Sequence, residues 1–114
     1  MRTTIAAVLL VLSSAAATAE ATKADWDRLA EPVVAKFGSC AWTEVDRAWN
    51  TTAPAADIAG AAVAACKDKL EPLREILAKD PFGASNEEIT ATLEQIKGEV
   101  LDAAQTDIVK RRKE

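Results

Sequence analysis

Apolar residues recur at three- and four-residue spacing along most of this chain. Nowhere do they alternate with period two over a stretch long enough for a strand. The pattern divides into three amphipathic segments. In the first, about 23–50, Trp26, Leu29, Val33 and Phe37 line one helical face. Ala41, Val45, Ala48 and Trp49 continue an apolar face, with Trp42 beside it. Pro32 lacks a backbone donor, so it either kinks this helix or starts a new one. Gly38 is a candidate stop, and Ser39 a candidate cap for a helix beginning there.

The stretch "NTTAPAAD", residues 50–57, reads as a turn, with Thr51 or Thr52 as cap and Pro54 in the first turn of the next helix. That helix runs to about Lys79. Its stripe is Ile58, Ala62, Ala65, Cys66, Leu70, Leu73 and Leu77, with a bend expected at Pro72. "DPFG", residues 80–83, is a turn, because Pro81 and Gly83 both oppose helix continuation. The third helix has the clearest start. Ser85 and Glu88 form an S-x-x-E capping box, and Ile89, Leu93, Ile96, Val100, Ala104 and Ile108 then repeat at three or four. The stretch "KRRKE" closes the chain as a short basic tail.

The opening segment has another character. Arg2 supplies a positive start, Ile5 to Leu12 is wholly apolar, and small residues lead to Ala17-Thr18-Ala19. That order is the pattern of a secretory signal peptide, residues 1–19, with cleavage after Ala19. The apolar run is far short of the ~20 residues that span a bilayer. An uncleaved anchoring helix is the alternative. The mature domain, 20–114, is then expected in the periplasm or outside the cell.

Export changes what the two cysteines mean, since two cysteines in a small exported domain usually pair. In an antiparallel helical hairpin, residues equidistant from the turn face each other. The point midway between Cys40 and Cys66 is Ala53, inside the expected turn. A Cys40–Cys66 disulfide is therefore predicted, with an intermolecular bridge or two free thiols as its rivals. Ala61, Ala62, Ala64 and Ala65 are small enough to let the helices approach within bridging distance. Closing a loop of this length contributes about 3 kcal/mol in the entropic account, against a typical domain stability of about 5–15 kcal/mol.

Composition narrows the function. The chain has 114 residues, enough for one domain, and five aromatics: three Trp and two Phe. It holds 14 basic and 18 acidic side chains, and loss of Arg2 with the leader makes the balance one unit more negative. An acidic chain is a poor partner for nucleic acid, whose phosphates need clustered Lys and Arg. The chain has no histidine, which removes the commonest general base and metal ligand. Ser39 and Ser85 have no evident base to activate them, and no C-x-x-C or glycine-rich phosphate loop is present. Carboxylates such as Asp25, Asp27, Glu87, Glu88, Glu94 and Glu99 are read as solvated helix faces rather than an acid–base pair. No catalytic residue, metal or cofactor is expected.

Two surfaces remain as candidates. Trp42, Val45 and Trp49 share one helical face, which either packs in the core or forms an aromatic patch for a partner. Lys110, Arg111, Arg112 and Lys113 either complement the helix dipole or contact an acidic partner or anionic headgroups.

The span from Phe37 to Leu77 resembles small exported two-cysteine helical proteins of proteobacteria. "FGSCAW", "APAADIAGAAVAAC" and "KDKLEPLREIL" carry the resemblance. It implies a disulfide-linked helical hairpin and brings no known activity. In size, export and cysteine count the chain also looks like the periplasmic acid-stress chaperones, whose cysteines lie further apart.

The expected fold is an all-α three-helix domain, a disulfide-linked helical hairpin plus a third helix, after an N-terminal signal peptide. The expected function is that of a non-enzymatic periplasmic or secreted interaction protein, with an envelope protein as partner. The alternatives are an acid- or envelope-stress chaperone and an inhibitor of an envelope enzyme.

Overall fold

The computed structural model describes residues 21–114, and these are helical, with no strand among them. The leader segment read at 1–19 lies outside the described residues. The first helix, α1, begins at Lys23–Asp25, passes through a π-helical turn at Trp26–Ala30, and continues as Glu31–Ala48. It is followed by α2 (Ala55–Leu70), α3 (Pro72–Ala78) and α4 (Asn86–Lys113). The expected hairpin is α1 against α2, and the expected third helix is α4. The count rises to four because Pro72 divides the second arm.

The start of α1 is held by a reciprocal cap. The Asp25 amide donates to Thr22 Oγ1 at 3.2 Å, and the Thr22 amide donates to Asp25 Oδ2 at 3.1 Å. The π turn inserts one residue into the helical period, and this rotates the buried face. Ala30 and Val34 therefore take the core seats expected for Leu29 and Val33, which are only half-buried. Pro32 falls immediately after this turn, near the start of the regular helix, where its missing donor matters least.

Gly38 does not stop the helix and Ser39 does not cap a new one, contrary to expectation. Gly38 is buried inside it, between Phe37 and Ala41, both fully buried. Packing on both sides outweighs the cost of about 1 kcal/mol for glycine in a helix interior. Thr51 and Thr52 do not cap α2 either. Pro54 stands at its N-cap without a side-chain bond, and the Thr51 hydroxyl donates back to the Ala48 carbonyl at 2.8 Å, closing the end of α1.

On α2, the buried line is Ile58, Ala59, Ala62, Cys66 and Leu70. Only part of the alanine run meets α1: Ala61, Ala64 and Ala65 are exposed. A helix presents one stripe to its neighbour, so a run of alanines cannot all face inward. Cys40 and Cys66 are bonded across the hairpin, with Cα atoms 5.8 Å apart. Pro72 cannot donate into the α2 ladder, yet Glu71 keeps helical angles, so the chain bends there rather than reversing.

The loop from α3 to α4 is tightly bonded. Phe82 and Gly83 amides both donate to the Lys79 carbonyl, and the Ala84 amide donates to the Leu77 carbonyl at 2.8 Å. Gly83 has φ 55°, the left-handed conformation that favours glycine. This loop places Phe82 in the core, edge-on to Trp26 with centroids 6.2 Å apart. The long helix α4 then starts at the expected capping box. The Glu88 amide donates to Ser85 Oγ, and the Ser85 amide to Glu88 Oε1 at 2.8 Å. All six residues of its expected stripe, from Ile89 to Ile108, are buried. With Phe37, Leu70, Leu73 and Leu77 they form one continuous core. Among the described residues no helix is long and apolar enough to cross a membrane.

This packing makes the disulfide and the first-turn cap testable. Cys66→Ser should lower Tm by more than about ten degrees, since about 3 kcal/mol converts to that range in a domain of this size. A shift of one or two degrees in thermal denaturation would show that the bond holds nothing together. The Asp25 carboxyl is held below the ordinary aspartate range, chiefly by the Thr22 amide and also by Arg28. A carboxylate with a depressed pKa stabilises the fold above its unfolded value and loses that contribution as pH falls through the folded one. The protection of the first-turn amides of α1, relative to their intrinsic exchange rate at each pH, should therefore fall on acidification through the aspartate range, and Thr22→Ala should flatten this dependence.

Candidate functional site

The two candidate surfaces meet on one side of α1. Trp42 and Trp49 lie one heptad apart, about 10 Å along the axis and about 20° apart around it. Asp46 is one turn from each, four residues after Trp42 and three before Trp49, so it neighbours both. Val45 does not belong to this surface. It lies about 60° around the helix from Trp42, turned into the core, and is 0% exposed. The trio read from the sequence thus splits, since Val45 is buried in the core while the two tryptophans pack against its edge, half-buried.

The basic end of α4 also divides. The Arg111 guanidinium lies over the Trp49 ring, 5.9 Å from its centroid. It pairs with Asp46 Oδ1 at 2.8 Å and with Asp107 Oδ2 at 2.6 Å. The bond to Asp46, more than any other cause, raises its pKa above the ordinary arginine value. Arg112 closes the open end of the hairpin. It donates to the carbonyls of Trp49 at 2.9 Å, Thr51 at 3.0 Å and Ala53 at 2.7 Å. Lys110 and Lys113 are exposed. Two of the four cations therefore serve the fold: Arg111 ties α4 to the end of α1, and Arg112 ties it to the α1–α2 turn.

Trp42 has no such cover among the described residues. It lines a shallow groove along α1, with Val34, Ala35 and Gly38 as floor and Glu31 and Asp46 toward its ends. Both charged residues of that lining are acidic. The Thr43 hydroxyl, also on this side, is spent on the Ser39 carbonyl at 3.0 Å. Elsewhere Val109 is the exposed large apolar side chain of the described residues, at 43%. The Trp26 indole Nε1 is fully buried without a hydrogen-bond partner among the described residues. No group of three or more potential metal ligands forms among them.

The fold and this surface define a disulfide-bonded helical hairpin braced by a long third arm, with an acidic, tryptophan-bearing groove on its first helix. Compared with known proteins, the chain matches no family model, no curated protein and no solved structure.

The sequence pattern located the aromatic face but not the Arg112 clamp. That clamp joins residues about sixty positions apart, and nothing local marks it. Three charge-assisted bonds at the surface should contribute about 1 kcal/mol together. Arg112→Gln should lower Tm by several degrees and raise hydrogen exchange in the 49–54 turn. Lys110→Gln, which removes an exposed charge alone, should leave both unchanged.

Proposed function

We propose that this protein is a non-enzymatic interaction protein of an oxidising compartment, periplasmic or secreted, that binds an envelope protein through the Trp42 groove of α1. The observation that carries this reading is the contrast between the two tryptophans of that face. Trp49 is covered by Arg111, whereas Trp42 lines an open groove with a small-residue floor. A half-buried tryptophan presents a rigid aromatic surface and a free indole edge at low entropic cost, which suits it to anchor a partner. The disulfide and the leader-like opening segment support export. An inhibitor or accessory subunit fits the same surface.

Two measurements test this. The chain recovered from its own envelope should start at Glu20, weigh two hydrogens less than the dithiol form, and resist alkylation before reduction. A full-length chain with two free thiols would overturn the compartment. A photo-cross-linking residue at Ala35, on the groove floor, should yield one stoichiometric adduct in envelope extract, while the same residue at Lys69 on α2 yields none. Equal labelling from both positions, or none from either, would overturn the groove as the binding surface.

A further inference from the structure

Within the interaction reading, on which this rests, the geometry points to the chemistry of the partner. We infer that the Trp42 groove takes a basic protein segment whose arginine stacks on Trp42 and pairs with Asp46.

The molecule contains the contact already made once. Arg111 lies over Trp49 at 5.9 Å and holds Asp46 at 2.8 Å, so aromatic face and carboxylate are both used by one guanidinium. One heptad earlier on the same face stands Trp42, with the same carboxylate one turn away and no guanidinium of the described residues over its ring. Asp46 is 62% exposed, and Arg111 occupies one of its two oxygens. A carboxylate offers about four acceptor positions, so it accommodates a second guanidinium.

The groove's charge selects the class of partner. Glu31 and Asp46 are its charged lining residues, and no cation of the described residues lines it. A phosphate-rich ligand, whether nucleic acid or anionic headgroup, would meet like charge there. The groove's length selects a macromolecule. From Glu31 to Asp46 it spans about four helical turns, roughly 22 Å, longer than a single small cation requires. Its floor of Ala35 and Gly38 lets a partner backbone approach closely, and arginine suits the site better than lysine because its planar head stacks while its edge pairs.

The test uses the full oxidised chain with nitrogen-15 in its tryptophan indoles, titrated with a short alanine-rich helical peptide carrying two arginines one heptad apart. A matched peptide carries glutamates instead. The Trp42 indole signal should move and saturate with the arginine peptide, the Trp26 signal should stay, and added salt should weaken the effect. Trp42→Ala should weaken binding about fivefold or more, and Trp42→Phe by less. Arg111→Gln should strengthen it about threefold by releasing Asp46 and Trp49. Circular dichroism of each variant keeps loss of binding separate from loss of fold.

Equal binding of the glutamate peptide, saturation without movement of Trp42, or no movement at millimolar peptide would each overturn the inference. So would insertion of Trp42 into neutral lipid vesicles without response to the peptide, which would assign the face to a membrane. If the Ala35 cross-linker captures an envelope protein whose binding survives Trp42→Ala and ignores salt, this inference fails while the interaction reading stands. If it captures nothing, the interaction reading fails by itself.

Discussion

The contact between α1 and α2 carries the rest of this structure. Its centre is the Cys40–Cys66 bond, flanked by Ala41 on one helix and Ala59 and Ala62 on the other, all buried. Small side chains bury little area each, so a hairpin built on them gains little from the hydrophobic effect alone. The covalent bond compensates by limiting the unfolded ensemble. Close approach and covalent closure therefore depend on each other. Larger residues would push the helices past bridging distance, and without the bridge the alanine contact is thin.

The large apolar residues sit where the hairpin meets the other elements. Leu70 at the end of α2 and Leu73 and Leu77 of α3 are fully buried, in the same core as Trp26 and Phe82. The stripe of α4, from Ile89 to Ile108, lies along the whole assembly. One end of the molecule is thus closed by aromatic packing. The other is closed by Arg111 and Arg112, which satisfy the backbone carbonyls of the turn and cover Trp49. Polar and apolar closures at opposite ends let one short core serve an elongated hairpin.

This economy leaves one side of α1 without cover from the described helices. The buried line of α1 runs through Ala30, Val34, Phe37, Ala41 and Val45, and Trp42 stands about 60° around the helix from Val45. It is close enough to the core to be half-buried and far enough to be reached. We read the exposed half as the working surface, and its acidic lining as the source of selectivity for a basic partner. Net acidity would assist such a partner's approach at low ionic strength and fade as salt rises.

Helix positions, the α4 capping box, the hairpin and its disulfide were legible from local signals: apolar period, cap residues, and cysteines placed symmetrically about a turn. These are determined by interactions within a few residues, or by a symmetry the turn imposes. Other features were decided by tertiary contacts. Gly38 stays helical because Phe37 and Ala41 are packed on either side. The π turn moved Ala30 and Val34 into seats expected for Leu29 and Val33, which a uniform period cannot anticipate. Val45 and Trp42 looked equivalent on a helical wheel, and only the arrival of α2 and α4 buried one and left the other accessible. Arg112 was one basic residue among four until α4 brought it to three carbonyls at the far end of the chain's first turn. A sequence states which face of a helix is apolar; which part of that face is covered depends on neighbours whose positions only the assembled fold supplies.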